Sequence, residues 1–166
     1  MAIQILCGVD GQEPSIRAAR AAFDLTIQLG AELTICMVNP VVPGRGAIIH
    51  LWPEEHIDRV LDEAVRQAKW AGVFKVKSET WHAISVADSI VGYADVQDVD
   101  YIVVGASDRP GIVKALSGSV SRELIAKANC PVLVVRRIRE HVNPTRRRRR
   151  EEDARSEPAP MFGYAH

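Results

Sequence analysis

Glycine and serine residues in the second half of the chain have the spacing of a phosphate-binding loop. An apolar run, Tyr101 to Val104, ends at Gly105, and Gly118 and Ser119 open a segment with helical spacing. Glycine allows backbone conformations that other residues avoid, and the first N–H groups of a helix attract anions. This order of strand, loop and helix predicts an anion site suited to phosphate groups.

The elements that must position this loop alternate along the chain. Helical spacing follows Pro14, Pro53, Ala87 and Ser119, and Gly30 is a natural stop for the first helix. Apolar runs between these helices predict strands, and runs this rich in Val, Ile and Leu are typical of parallel strands buried on both faces. The predicted strands are residues 3–9, 33–38, 73–80, 101–104 and 132–135.

The expected fold is therefore α/β, a doubly wound, Rossmann-like sheet of five parallel strands with helices on both faces, connected by right-handed crossovers. Such sheets bind ligands beyond the carboxyl ends of their strands, where the strand order reverses. Asp10 follows the first strand, Val38 ends the second and Gly105 ends the fourth. Asp10 also fits a turn or a helix N-cap, and Ser119 fits an N-cap. Together these residues predict one pocket.

Charge argues against nucleic acid as the main partner. The chain has 166 residues with 21 basic and 21 acidic side chains, and 47% of its residues are hydrophobic. Residues 141–166 carry six arginines against four acidic residues, which leaves residues 1–140 with a net charge of −2. A near-neutral part of this size lacks the basic surface that nucleic acid attracts. We expect one globular domain at residues 1–139 and a tail at residues 140–166.

The cysteines and the chain start predict a cytoplasmic location. Cys7, Cys36 and Cys130 each lie in an apolar run without metal-ligand or Cys-x-x-Cys spacing. We expect them to be buried, reduced thiols. The sequence shows neither a basic start with a cleavage site nor an apolar run of the roughly 18 residues that span a membrane.

The chain from residue 3 to residue 136 resembles a single domain of the universal stress protein family. Its loop, Gly105-x-x-Asp108-x9-Gly118-Ser119, is similar to the family's signature Gly-x-x-Gly-x9-Gly-Ser/Thr. Further blocks carry the resemblance along the chain: Gly8-Val9-Asp10-Gly11, Asp100-Tyr101-Ile102-Val103-Val104-Gly105, Gly118-Ser119-Val120-Ser121 and Cys130-Pro131-Val132-Leu133-Val134-Val135-Arg136.

The resemblance implies which residues bind a nucleotide. In ATP-binding members, two positions hold the adenine and ribose end, and these match Asp10 and Val38. Four other positions hold the ribose and the phosphates, and these match Gly105, Gly118, Ser119 and Val120. The implied ligand is ATP or AMP, with or without Mg²⁺ or Mn²⁺.

Asp108 stands where the family signature has its second glycine, and we count it among the expected nucleotide contacts. At about 4–6 Å from a phosphate and an effective dielectric constant near 20, each like-charge pair costs roughly 3–4 kcal/mol. A divalent metal shared with the phosphates, or Arg109 and Lys114, would offset this repulsion. Without an offset, the substitution favours a ligand with few phosphates, such as AMP.

A long Pro- and Gly-rich connection spans residues 40–53. A loop of this length is typical of a functional lid or of disorder. Four apolar residues in it predict that it covers the pocket or a dimer surface, and Arg45 is either a phosphate contact or an ordinary surface arginine. The apolar residues are Ile48, Ile49, Leu51 and Trp52.

The sequence offers no catalytic or metal-binding constellation. His50, His56, His82 and His141 lack the spacing of a metal site or a catalytic triad. There is no Gly-x-Ser-x-Gly, no Walker lysine loop and no carboxylate pair with catalytic spacing. We therefore expect no dedicated catalysis and no metal site formed by protein ligands alone.

The tail has too little hydrophobic content to order itself, so we expect residues 140–166 to be disordered. Its five consecutive arginines, Arg146 to Arg150, precede the acidic block Glu151-Glu152-Asp153. The arginines would bind nucleic acid, anionic lipid or an acidic partner if exposed. Pairing with the acidic block is the favoured interpretation, since no aromatic residues lie among them.

The resemblance also implies a homodimer in which the last strands of two copies pair antiparallel. An edge strand with apolar residues needs such protection, and the pairing satisfies two-fold symmetry. The function that we infer from the sequence is an adenine-nucleotide-binding module for regulation or stress response. Two alternatives remain: a nucleotide-free module that binds an unknown protein partner, and a slow ATP hydrolase that uses the same pocket.

Overall fold

The structure, a computed structural model, describes residues 1–106 and 119–136, with Ser119 described by its backbone alone. Six strands and four helices follow one another along these residues. They are β1 (Gln4–Gly8), α1 (Glu13–Leu29), β2 (Glu32–Pro43), β3 (Ile48–His50), α2 (Glu54–Ala71), β4 (Val76–Ala83), α3 (Val86–Val96), β5 (Tyr101–Gly105), α4 (Ser119–Lys127) and β6 (Val132–Val135).

Five strands form a parallel sheet in the order β4-β2-β1-β5-β6. The central strand β1 pairs with β2 on one side and with β5 on the other, so the strand order reverses there. The chain continues from β1 toward one edge and returns to build the other, which is the doubly wound arrangement. The predicted α/β fold is confirmed.

Helices cover both faces of this sheet. Ala18, Ala22 and Phe23 of α1 and Ile57 and Leu61 of α2 pack on one face. On the other face, residues of α3 and α4 form a second core cluster with Leu6, Cys36, Val38, Ile102 and Val104. Because strand side chains alternate between faces, neighbouring residues such as Leu6 and Cys7 belong to different clusters.

Both ends of α1 follow from local sequence. Pro14 lies in its first turn, where the missing N–H costs no hydrogen bond. Gly30 ends the helix with a φ of 60°, a left-handed conformation that favours glycine. Its N–H donates to the Ile27 carbonyl at 3.3 Å, and the Ala31 N–H donates to the Thr26 carbonyl at 2.9 Å.

The first turn of α1 touches the end of β5 at Gly105. A Cβ built on Gly105 would lie 2.3 Å from the Pro14 carbonyl oxygen and 2.8 Å from the Ser15 nitrogen. Both atoms belong to the backbone, so no side-chain rotation would relieve the clash. Glycine is therefore required here for the helix to reach the strand end.

The second strand is longer than expected. The sequence predicts that it ends at Val38, before Asn39 and Pro40, but β2 continues to Pro43. The extension has a partner, because Val41 to Pro43 pair antiparallel with the short strand β3. Similarly, the strand predicted at residues 73–80 lies at Val76–Ala83, where it pairs with β2 as an edge strand.

The connection at residues 40–53 is a β-hairpin instead of a lid on the described part of the fold. Ile48, Ile49 and Leu51 expose 68%, 56% and 56% of their surface, so they cover no pocket formed by the described residues, whereas the alternative expectation, that they cover a dimer surface, stays a prediction. Their strand pairs with β2 and leaves these side chains in solvent. Trp52 alone packs against the core under α1 and α2.

Asn39 fastens the hairpin to the start of α2. Its side chain is fully buried, and its amide makes two hydrogen bonds to the backbone of Trp52. The Trp52 N–H donates to Asn39 Oδ1 at 3.0 Å, and Asn39 Nδ2 donates to the Trp52 carbonyl at 2.8 Å. Removal of the amide would leave both backbone groups without these partners.

We expect Asn39→Ala to lower the free energy of unfolding by about 2–3 kcal/mol, because partly buried backbone groups lose their hydrogen bonds. Urea denaturation measures this change. Ser85→Ala is the control: it removes an exposed cap, the 3.2 Å bond from Asp88 N–H to Ser85 Oγ, and should cost about 1 kcal/mol. Equal effects of the two substitutions would contradict the importance of Asn39.

Candidate functional site

The turn between β1 and α1 is held by hydrogen bonds among Asp10, Gln12 and Ser15. Asp10 Oδ1 accepts from the Gln12 N–H at 2.9 Å, and Ser15 Oγ accepts from the Asp10 N–H at 3.2 Å. Ser15 Oγ also donates to the Gln12 carbonyl at 2.9 Å. Asp10 thus has the turn role that the sequence left open, and its side chain is exposed beside the end of β1.

Val38 lies level with this turn, inside β2. Its side chain is buried in the core cluster under α3 and α4. The ladder between β1 and β2 extends past Gly8 through a 2.8 Å bond from the Val9 N–H to the Cys36 carbonyl. Alternate residues of a strand direct their peptide groups to the same side. The peptide groups of Val38 therefore face the side of β2 on which β1 has ended.

Gly105 lies on the other side of β1. Cys7 pairs with Val103 across β1 and β5, and the same register carried two residues further sets Gly105 beside Val9. The Ala106 N–H donates to the Val135 carbonyl at 2.9 Å, which extends pairing with β6 beyond this point. The chain thus leaves β5 between the first turn of α1 and the end of β6.

Of the glycine-rich motif, the structure describes Gly105 and the start of α4. The helix begins at Ser119, where the sequence predicts it, and Val120 is half-buried against the same core cluster as Val38. Asp108 and Gly118 lie outside the described residues. Their expected contacts with phosphate stay predictions, as do those of the Ser119 side chain.

The described site residues thus meet where the order of the strands reverses. Asp10 follows the end of β1, and Gly105 ends the neighbouring strand β5. Val38 lies on the other side of β1, in the part of β2 that extends beyond the end of β1. The N-terminus of α1 lies at the same end of the sheet, because the first turn of α1 contacts Gly105. An exposed carboxylate, peptide groups that face the gap beyond β1 and a helix N-terminus are suited to hydrogen bonding a polar ligand.

Sequence reasoning missed two residues that shape this site. Ser15 ties Asp10 to the helix start, and its only signal is its place within the first turn of a helix. Asn39 holds the chain beyond Val38, and its only signal is its place between the predicted strand at residues 33–38 and the connection that starts at Pro40. Both residues act through hydrogen bonds of a polar side chain to the backbone. Hydrophobic periodicity reports on apolar side chains and therefore does not reveal such bonds.

A separate groove lies between α1 and α2. Its cavity has a volume of about 180 Å³ and is lined by Val9, Gly11, Ile16, Val60 and Ala64, among others. Ligand pockets commonly measure about 300–1,000 Å³. This groove is therefore too small for a whole nucleotide, and it lies on the face of the sheet opposite the Val38 side chain.

The cysteines are unsuited to nucleophilic catalysis. Burial raises the pKa of Cys7 to about 12 and also raises the pKa of Cys36, next to Cys7 and Glu79. Partial burial, then Asp95 and Asp100, raise the pKa of Cys130. All three are free thiols, and a raised pKa keeps them protonated near neutral pH. The expected burial holds for Cys7 and Cys36, whereas Cys130 is only half-buried.

The described residues contain neither a cluster of metal ligands nor a membrane-spanning helix. Across residues 1–106 and 119–136, no three His, Cys, Asp or Glu side chains gather in a way that would hold a metal ion. Within the same ranges, every helix is too short or too polar to serve as a membrane span.

Comparison with known proteins identifies the family. Residues 1–136 match the sequence model of the Universal stress protein family. The chain is also similar to Universal stress protein MJ0531 of Methanocaldococcus jannaschii, with 30% identity over 141 residues. That alignment covers 81% of this chain and 82% of the relative.

Solved structures share the fold. A universal stress protein in complex with cAMP superposes with a TM-score of 0.66 and 25% identity, covering 80% of this chain and 96% of that one. The universal stress protein from Archaeoglobus fulgidus in complex with dAMP gives a TM-score of 0.58 and 25% identity, covering 81% and 97%. The resemblance drawn from the glycine motif and the strand ends is thereby confirmed, and the chain belongs to the universal stress protein family.

Proposed function

We propose that this protein is an adenine-nucleotide-binding module for regulation or stress response, without dedicated catalysis. The observation that carries the proposal is the gap beyond β1, where the Asp10 carboxylate and the peptide groups of Val38 border one space. Two universal stress proteins with the same fold hold the adenine nucleotides cAMP and dAMP. The site lies where doubly wound sheets bind such ligands.

The nucleotide would lie across the carboxyl ends of the strands, with its base toward β2 and its phosphates toward α4. Adenine and ribose would lie next to Asp10 and Val38, where a carboxylate accepts hydrogen bonds from hydroxyl groups and peptide groups pair with a base edge. The phosphates would lie toward Gly118, Ser119 and Val120, at the positive end of the α4 dipole. Gly105 would contact the ribose and phosphates, and it would also serve the site indirectly, because the missing side chain lets the first turn of α1 approach the end of β5.

The ligand that we propose is ATP or AMP, and Asp108 decides between them. A carboxylate beside the phosphate chain repels ATP more than AMP, because ATP carries more negative charge. Mg²⁺ or Mn²⁺ bridging Asp108 and the phosphates would reverse this preference.

Binding without turnover is supported by the chemistry of the described groups. The three thiols have raised pKa values, and the Asp10 carboxylate already accepts the Gln12 N–H in its turn. The absence of disulfides among Cys7, Cys36 and Cys130 fits a reducing compartment, which supports the proposed cytoplasmic location. The division into a domain at residues 1–139 and a tail at residues 140–166 is part of the same proposal.

A nucleotide-free interaction module is the second candidate, and one observation favours it. The hairpin exposes Ile48, Ile49 and Leu51 together, which is typical of a surface that contacts another protein. A protein that retains no nucleotide on purification and binds none in solution would have this function instead.

Native mass spectrometry of freshly purified protein, followed by calorimetry with AMP and ATP, tests nucleotide binding. We expect Gly118→Val to abolish binding, because a branched side chain would occupy the approach of the phosphates. Gly92→Val is the matched control, since nothing lies within 4 Å of a Cβ built on Gly92. Unchanged affinity in Gly118→Val would overturn the proposed site, and steady release of phosphate from ATP would support a hydrolase.

Asp108→Gly tests the repulsion argument. We expect this substitution to raise the affinity for ATP by a larger factor than the affinity for AMP, as measured by titration calorimetry in the absence of divalent metal. Asp98→Gly changes the net charge equally but lies before β5, at the opposite end of that strand, and should leave both affinities unchanged. A wild-type protein that prefers ATP only with Mg²⁺ or Mn²⁺ would identify Asp108 as a metal ligand instead.

We further propose that two copies pair through β6. Among the described strands, β6 pairs with β5 alone, so its other side is an edge that exposes 43% of Leu133. The Pro131 and Val135 carbonyls accept bonds from β5, so residues that alternate with them, such as Val134, direct their peptide groups outward. An antiparallel partner would complete this ladder around a two-fold axis.

Val134→Pro removes an outward N–H without removing a bond to β5, so we expect it to convert a dimer into a monomer or into insoluble protein. Val134→Ala keeps the N–H and should stay dimeric. Analytical ultracentrifugation at micromolar concentration distinguishes these states. A chain that ends at Arg139 should still be a dimer, and a monomeric wild type would refute pairing through β6.

A further inference from the structure

Two histidines from separate strands meet on the surface of the described fold. His50 lies in β3 and His82 in β4, and their Nδ1 atoms are 3.1 Å apart. The rings are nearly perpendicular, with an interplanar angle of 86° and centroids 4.8 Å apart. His82 Nε2 also lies 3.4 Å from Glu54 Oε1, at the start of α2.

Strand pairing explains why these side chains meet. His50 is opposite Val41 of β2, and His82 is opposite Asn39 of the same strand. Paired residues of neighbouring strands project from the same face, and so do residues two apart on one strand. Both rings therefore project from the face that α2 covers, where the backbone of Trp52 is bonded to Asn39.

The distance between the nitrogens fits a shared metal ion. Zinc binds imidazole nitrogen at about 2.0–2.1 Å in tetrahedral geometry, which separates two such nitrogens by roughly 3.3 Å. A small rotation of either ring would supply the difference from 3.1 Å. Imidazole nitrogens suit Zn²⁺, Cu²⁺ and Ni²⁺, whereas Mg²⁺ and Ca²⁺ prefer oxygen ligands.

Glu54 supplies the partner that a metal-binding histidine commonly has. A neutral imidazole carries its proton on one nitrogen and offers a lone pair on the other. A carboxylate 3.4 Å from His82 Nε2 favours the tautomer that carries its proton on this nitrogen, and in that tautomer the lone pair is on Nδ1, the atom next to His50. Carboxylates bonded to the second nitrogen fix ligand histidines in this way.

We propose that His50 and His82 bind one divalent cation of the Zn²⁺ class through their Nδ1 atoms. Glu54 is a positioning residue, and water completes the coordination. The proposal is independent of nucleotide binding and needs no third protein ligand, in keeping with the described residues. The bound ion would join β3 to β4 and thereby fasten the hairpin that exposes Ile48 and Ile49.

Titration calorimetry of the full chain without an affinity tag, in a buffer without nucleotide, tests the site. We expect one Zn²⁺ per chain, with binding by Ni²⁺ as well and none by Mg²⁺. His50→Gln and His82→Gln should each lower the zinc affinity at least tenfold. Glu54→Gln should lower it by about 10–100-fold, as loss of an outer carboxylate commonly does.

His56→Gln is the matched control. His56 lies on α2 close to the pair, but its ring stacks on Trp52 at 4.7 Å and its Nδ1 faces the Arg59 guanidinium at 3.1 Å. This variant should keep the wild-type zinc affinity. Because His50 and His82 are exposed, their variants should retain the wild-type circular dichroism spectrum.

The thermal midpoint gives a second readout. Zinc at about 100 times its Kd should raise the wild-type midpoint by roughly 5–10 °C, and should not raise that of a His50→Gln, His82→Gln double variant. If the wild type binds no zinc, the contact between His50 and His82 is an ordinary hydrogen bond between the two rings. Equal zinc binding by the double variant would place the ion elsewhere. Either result overturns the proposal.

Discussion

The approach of the first turn of α1 to Gly105 is the contact on which the geometry of the candidate site depends. The Pro14 carbonyl and the Ser15 N–H occupy the space that any side chain at Gly105 would need. Because of this contact, the start of α1 lies beside the ends of both β1 and β5. Ser15, held there, bonds both Asp10 and Gln12 and thus fixes the turn that carries the exposed carboxylate. A glycine at a strand end therefore determines where a helix N-terminus and an acidic side chain lie.

Unequal strand lengths create the space in front of that carboxylate. β1 has five residues and β2 has twelve, so the longer strand continues past Val9 without β1 beside it, paired on its other side with β4. A protruding strand would ordinarily need support, and two features provide it. The hairpin partner β3 pairs with its last residues, and the buried Asn39 amide bonds the chain that leads into α2. The space beyond β1 is thus bordered on several sides by backbone held in place by hydrogen bonds.

The electrostatic character of this edge is consistent with the proposed binding of an anionic ligand. Helices start there with their positive ends, which attract anions, while the thiols nearest the sheet centre are buried and protonated. Negative charge from Asp10, and from Asp108 if it approaches as the sequence suggests, opposes a ligand with many phosphates. In the proposed site, nucleotide preference would therefore depend on how these carboxylates are neutralised and not on the fold, which the chain shares with relatives that hold cAMP and dAMP.

Local signals in the sequence were enough to predict the fold class, the helices and the family. Proline at helix starts, glycine at the end of α1 and buried apolar runs are local signals, and the helix at Ser119 begins where they predict. Asp10, Val38 and Gly105 were predicted as site residues from their places at strand ends, although β2 in fact continues past Val38. Features that depend on pairing between distant segments could be read from the three-dimensional structure alone. The extension of β2, the exposure of Ile48 and Ile49, the role of Asn39 and the meeting of His50 with His82 all arise from strand register, which joins residues far apart in the chain. Hydrophobic periodicity reports which face of an element is buried, but it carries no information about which polar side chain lies opposite another.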